Sequence, residues 1–82
     1  MLVDVSKHKH WRIRAVANDR TEYEGNILAT DKYNNMLLEE TEMLCTVEGV
    51  TKYLGVVVLR GAYICYVELL SRPIGSVKSS VA

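Results

Sequence analysis

The sequence predicts a mainly β domain in which five short antiparallel strands form a strongly bent sheet, curled into a small open barrel. Three observations carry that prediction. Apolar and polar residues alternate with the period of two that marks a half-buried strand, as in Trp11-Arg12-Ile13-Arg14-Ala15-Val16. A glycine, Gly25, falls inside an otherwise regular strand, where a side chain would hinder a sharp bend or a close backbone approach. Turn-forming residues recur at short intervals between the apolar runs.

The elements follow in order. Residues 3–10 are expected to form a short N-terminal helix, opened by Asp4 or Ser6. The first strand covers Trp11 to Val16 and ends at Asn18-Asp19. The second runs from Tyr23 to Thr30 and ends at the turn Asp31-Lys32-Tyr33-Asn34, because Asp and Asn bond their own backbone and Asn tolerates positive φ. A third strand spans Asn35 to Glu42, and Glu48-Gly49 marks the next reversal. Tyr53 to Leu59 and Ala62 to Leu70 are the most apolar strands, joined tightly at Arg60-Gly61. Residues 1–72 thus form one domain, and 73–82 read as a flexible C-terminal tail after Pro73.

Composition narrows the class. The chain has 82 residues, 49% of them hydrophobic and 24% charged, enough for one thin core. No apolar run approaches the roughly 18–20 residues of a membrane span. The start Met1-Leu2-Val3-Asp4 has no charged leader before an apolar segment, so no secretory signal is expected. Cys45 and Cys65 stand twenty residues apart without a C-x-x-C spacing, and their apolar neighbours predict two buried thiols in a reducing, intracellular compartment.

Ten Lys/Arg balance ten Asp/Glu, which argues against a stand-alone basic binder of nucleic acid. The neutral sum hides a segregation. Ser6 to Arg14 carries Lys7, Lys9, Arg12 and Arg14 with no acid, while Glu39 to Glu48 carries four acids and no base.

Val56-Val57-Val58-Leu59 and Ile64-Cys65-Tyr66-Val67 do not alternate, which predicts strands covered on both faces. So small a domain has too little material to cover them, and the expected cover is a second chain added by strand pairing.

Gly25-x-Ile27-x-x-x-Asp31-x-Tyr33-x-Asn35-x-x-Leu38 resembles the first motif of the Sm/LSm proteins, and Leu59-Arg60-Gly61-x-x-Ile64-x-x-Val67 resembles their second. Both stand in the family's order and separation, so the resemblance covers about residues 11 to 70. Trp11-Arg12-Ile13-Arg14 and Leu54 to Gly61 are most similar to the SmB branch. The resemblance implies an Sm fold, with a short helix on a five-stranded SH3-like open barrel. It also implies assembly with other Sm/LSm subunits by edge-strand pairing into a ring of six or seven. The ring's hole would bind single-stranded U-rich RNA, such as the Sm site of an snRNA, one nucleotide per subunit. The setting implied is the core of spliceosomal snRNPs in pre-mRNA splicing, in the nucleus after cytoplasmic assembly. An LSm-type ring in RNA decay or small-RNA chaperoning, or a protein-interaction scaffold without RNA preference, is the alternative.

By position, the RNA pocket would be Tyr33, Asn35, Arg60 and Gly61. Tyr33 offers a face for base stacking, and Asn35 a donor and acceptor for a uracil edge. Arg60 adds a stacking guanidinium and a charge near phosphate, and Gly61 permits close backbone approach. Asp31 would support the loop, since a bare carboxylate repels phosphate. Three positions depart from the family: Asn34 replaces an apolar residue, Arg20 a turn glycine, and Tyr63 a small polar residue.

Other candidates have plainer accounts. His8 and His10 lack further ligands at metal spacing, so no metal is expected. Glu39, Glu40 and Glu42 share no pattern with a nucleophile or histidine, so no enzyme is expected. Lys7, Lys9, Arg12 and Arg14 either meet RNA phosphate or solvate one face. No cofactor and no membrane partner are expected.

Overall fold

The computed structural model describes residues 4–73. Five antiparallel strands form one sheet: β1 (Arg12–Ala17), β2 (Thr21–Thr30), β3 (Met36–Cys45), β4 (Val50–Leu59) and β5 (Ile64–Ser71), in the order β4-β3-β2-β1-β5. The expected mainly β, bent sheet is present. The domain limits drawn from sequence, and the tail from Ile74 onward, extend outside the described residues.

The N-terminal element is shorter than expected. In place of a helix over 3–10 there is a single 3-10 turn, Val5–Lys7, capped by Asp4, whose carboxylate accepts the Ser6 N–H at 3.1 Å. The chain cannot continue as a helix because His10 takes a left-handed φ of 69° and donates its N–H to Ile27 O in the sheet. The turn still has a packing role. Val5 is fully buried and plugs the sheet beside Ile13, Ile27, Met36 and Leu38.

The bend predicted at Gly25 spans three strands. A Cβ there would lie 2.7 Å from Thr41 Oγ1 and 3.0 Å from Glu39 O, so only glycine lets β3 cross so closely. On β3, Glu40 adopts φ 51°, and on β4, Gly55 adopts φ 74°. The pairing registers of β2 with β3 and of β3 with β4 both slip at this level, the mark of bulges that sharpen curvature. Thr41 is fully buried here, and its hydroxyl has no hydrogen-bond partner.

The two most apolar strands are not partners. Gly61–Tyr63 forms a 3-10 turn, and the chain then crosses to pair β5 with β1, leaving β4 and β5 at opposite edges. Ala62 and Tyr63 belong to that turn and not to the strand. The lack of alternation is now explained: Leu59, Ile64 and Val67 enter the core, while Val56 and Val58 remain 64% and 67% exposed. Tyr66 is also exposed, and so is Cys65, which corrects the expectation of two buried thiols. Cys65 Sγ faces Asn18 Oδ1 at 2.9 Å, and Cys45 is half-buried.

Candidate nucleic-acid interface

The β2–β3 loop is built around one carboxylate. Asp31 Oδ1 accepts the backbone N–H groups of Tyr33 (2.8 Å) and Asn35 (3.1 Å), and Oδ2 accepts from Asn35 Nδ2 at 2.9 Å. This is the side-chain-to-backbone bonding that makes Asp a turn former. The Asn35 amide first, and then the Tyr33 N–H, hold the Asp31 carboxyl below its usual range. Asn34 completes the turn at φ 63°, donating its N–H to Asp31 O at 3.1 Å. Its departure from the family's apolar residue places there a side chain that tolerates left-handed backbone.

The second loop is fastened to the first. Asn35 Oδ1 accepts the Gly61 N–H at 2.9 Å, so one amide side chain joins Asp31 to Gly61. The two loops pack so closely that a Cβ on Gly61 would overlap Tyr33 O and lie 2.8 Å from Asn34 O. The backbone that approaches Gly61 is therefore the protein's own. The two motifs, far apart in sequence, form one double knuckle.

Exposed side chains surround this clamp. Tyr33 is 68% exposed, with Lys32 Nζ 5.2 Å from its ring centroid, a cation–π contact that occupies one side of the ring. The Arg60 guanidinium has no hydrogen-bond or carboxylate partner among the described residues. Arg60 stands in extended backbone just before the Gly61–Tyr63 turn. Lys32 escaped the sequence reading; its signal was a cation beside the turn tyrosine. The Asn35 amide is held in one orientation, with its oxygen toward an N–H and its nitrogen toward a carboxylate. One N–H and one oxygen lone pair remain to meet a ligand.

The basic segment near the N-terminus has another fate. Arg12 pairs with Glu24 (3.3 Å) and Glu42 (3.6 Å) and donates to Asn26 Oδ1 and Glu40 O. Arg14 meets Glu22 (3.4 Å), Glu24 (4.0 Å) and Glu68 (3.6 Å). Antiparallel pairing thus lays acids from β2, β3 and β5 against the bases of β1. Lys7 reaches Asp4 at 4.0 Å, and Lys9 is exposed. Arg12 and Arg14 serve the sheet face.

The remaining candidates stay apart from the knuckle. His8 Nδ1 lies 2.8 Å from Asp4 O, and its ring meets Trp11 edge to face at 5.1 Å. No cluster of three or more metal-ligating side chains occurs among the described residues. Glu40 accepts from the Tyr53 hydroxyl at 3.3 Å, and Glu42 is held by Arg12. Desolvation and the nearby Glu40 carboxylate push the Tyr53 hydroxyl above its usual pKa.

A small, sharply bent, five-stranded sheet with two clamped loops defines the class. The chain belongs to the LSM domain family, whose model matches residues 3–69. Two solved structures share the fold. One is a heptameric archaeal Sm protein, 21% identical at TM-score 0.72, covering 80% of this chain and 94% of that one. The other is the P. aerophilum SmAP1 heptamer, also 21% identical at TM-score 0.72, covering 80% and 86%. No curated protein matches the sequence.

Proposed function

We propose that this chain is a non-catalytic subunit of a six- or seven-membered ring that binds single-stranded, U-rich RNA. The observation that carries the reading is the Asn35 amide, clamped between Asp31 and Gly61 and flanked by the exposed Tyr33 and Arg60. Its free N–H and free lone pair match the adjacent carbonyl and N3–H of uracil, and the clamp prevents the amide flip that would suit cytosine. Tyr33 supplies stacking worth about 1–3 kcal/mol per base. Arg60 and Lys32 supply cations near the phosphates.

Ring assembly is supported by the unpaired edges β4 and β5, whose outward valines and tyrosine are exposed in the single chain. The similar archaeal proteins are described as heptamers, one with implications for the eukaryotic snRNP core. We place this chain in the same kind of assembly. The finer reading is an SmB-type subunit on the Sm site of an snRNA, acting in the nucleus in pre-mRNA splicing after cytoplasmic assembly.

The test is oligo-uridine binding by the assembled protein, compared with Tyr33→Ala and Arg60→Ala. Each is expected to weaken binding about tenfold or more per engaged pocket. Unchanged affinity would remove the pocket. Native mass spectrometry separates the finer readings. Closure only with Sm partners supports the SmB-type reading, whereas a homogeneous ring of this chain alone supports an LSm-type assembly.

A further inference from the structure

Tyr33 is anchored by its backbone and free in its ring. Its N–H donates to Asp31 Oδ1 at 2.8 Å, and its carbonyl lies against Gly61 of the second loop. The ring is 68% exposed, and its hydroxyl has no hydrogen-bond partner among the described residues. A stacking platform that turns freely about its side-chain bonds must be ordered whenever a base binds, which costs affinity. One contact limits that freedom. Lys32 Nζ lies 5.2 Å from the ring centroid, and no other cation stands over an aromatic ring among the described residues.

The contact follows from the turn. Lys32 and Tyr33 are the two central residues of a reversal closed by the Asn34 N–H on Asp31 O at 3.1 Å, so their side chains leave neighbouring points of a fixed backbone. The acid nearest in sequence is already engaged. Asp31 Oδ1 accepts two backbone N–H groups, and Oδ2 accepts the Asn35 amide. No carboxylate lies within ion-pairing distance of Lys32 among the described residues. The exposed ammonium therefore settles over the ring, whose face is negative.

We propose that Lys32 is a positioning residue for the uridine-type site. It holds the Tyr33 ring from one face, so the ring is set before RNA arrives and a base stacks on the opposite face. Lys32 thus acts through Tyr33, beyond the charge it lends near phosphate. The proposal deepens the U-rich RNA reading above and rests on it.

The experiment is a double-mutant cycle on the full assembled chain, with oligo-uridine affinity read by fluorescence anisotropy at low salt, where binding is strongest. Lys32→Met keeps the length of the side chain and removes its charge, and Tyr33→Leu keeps an apolar side chain and removes the ring. With Tyr33 present, Lys32→Met is expected to weaken binding about two- to fivefold, the strength of an exposed cation–π contact. In Tyr33→Leu, where there is no ring to hold, the same change is expected to cost clearly less. Lys32→Arg, which keeps a cation over the ring, is expected to bind as the wild type does. An equal loss in both backgrounds would assign Lys32 to phosphate alone and overturn the proposal. Unchanged or tighter binding by Lys32→Met, or a Lys32→Arg variant as weak as Lys32→Met, would overturn it as well. In each of those outcomes the wild type still binds oligo-uridine, so the RNA reading survives. A wild type that does not bind oligo-uridine overturns both.

Discussion

Arg12 and Arg60 are the same residue type on the same small sheet, yet the fold uses them in opposite ways. Arg12 sits on β1 with its guanidinium spread over Glu24, Glu42, Asn26 and the Glu40 carbonyl, binding the sheet face and the bend together. Arg60 follows β4 in a loop, where no acid of the described residues reaches it. One cation is spent on the fold, and the other stays exposed and without such partners among the described residues. The difference teaches that a neutral sum of charges says little about where charge is available. Pairing neutralises the strand faces, and the loops keep what remains.

Breaking the clamp between the loops should have the largest effect. Gly61→Ala forces a Cβ against the Tyr33 and Asn34 backbone, which side-chain motion cannot relieve. A loss of about 2 kcal/mol or more, roughly 8–16 °C in Tm, is expected in thermal melts, with RNA binding lost alongside. A variant as stable as the wild type would mean that the loops are not held together as described.

The Arg12–Arg60 contrast can be tested directly. Arg60→Ala should leave Tm within about 2 °C, because an exposed cation without partners contributes little to stability, while oligo-uridine affinity falls. Arg12→Ala should do the reverse, lowering stability by about 1–2 kcal/mol in urea titrations because two carboxylates lose a shared, part-buried partner. Its oligo-uridine affinity should stay near that of the wild type. Finding both effects in both variants would dissolve the distinction.

A smaller effect sits at the bend. Thr41→Val removes a buried hydroxyl without a partner and keeps the shape, so a gain of about 1 kcal/mol is expected. A loss instead would show that the hydroxyl is bonded in solution.

The smallest effect concerns acid. Asp31 has its pKa lowered by Asn35 and Tyr33, so its contribution is present above the ordinary carboxylate pKa of about 4 and disappears as pH falls through the folded value. Thermal melts from pH 6 to pH 2 should therefore bring the wild type and Asp31→Asn together at the acid end. A constant gap would exclude Asp31 as the titrating group.

Much of the site was legible because its residues lie in two short, spaced motifs. Asp31, Tyr33, Asn35, Arg60 and Gly61 all reach the double knuckle. Their division of labour was less legible. Gly61 serves the contact between loops, and Asn35 spends half of its hydrogen-bonding capacity on the clamp, because these roles depend on which loop packs on which. The strands were found by period and turn chemistry, but β3 runs on through Met43, Leu44 and Cys45 to pair with a β4 that begins at Val50, an extension set by cross-strand pairing and not by alternation. The bulges at Glu40 and Gly55 left no local signature beyond one glycine. The expected helix failed because a sheet hydrogen bond at His10 outcompeted a local one.

The sequence by itself determined the class of fold, the turns, the residues of both knuckles and the excess of apolar surface on the last two strands. Those features rest on local conformational preference and on alternation, which neighbours in sequence suffice to set. Only the tertiary structure decided that β4 and β5 become opposite edges, that Arg12 and Arg14 meet acids of β2, β3 and β5, and that Arg60 has no such partner among the described residues. Those outcomes depend on antiparallel register across the sheet, which brings together residues that the chain itself keeps far apart.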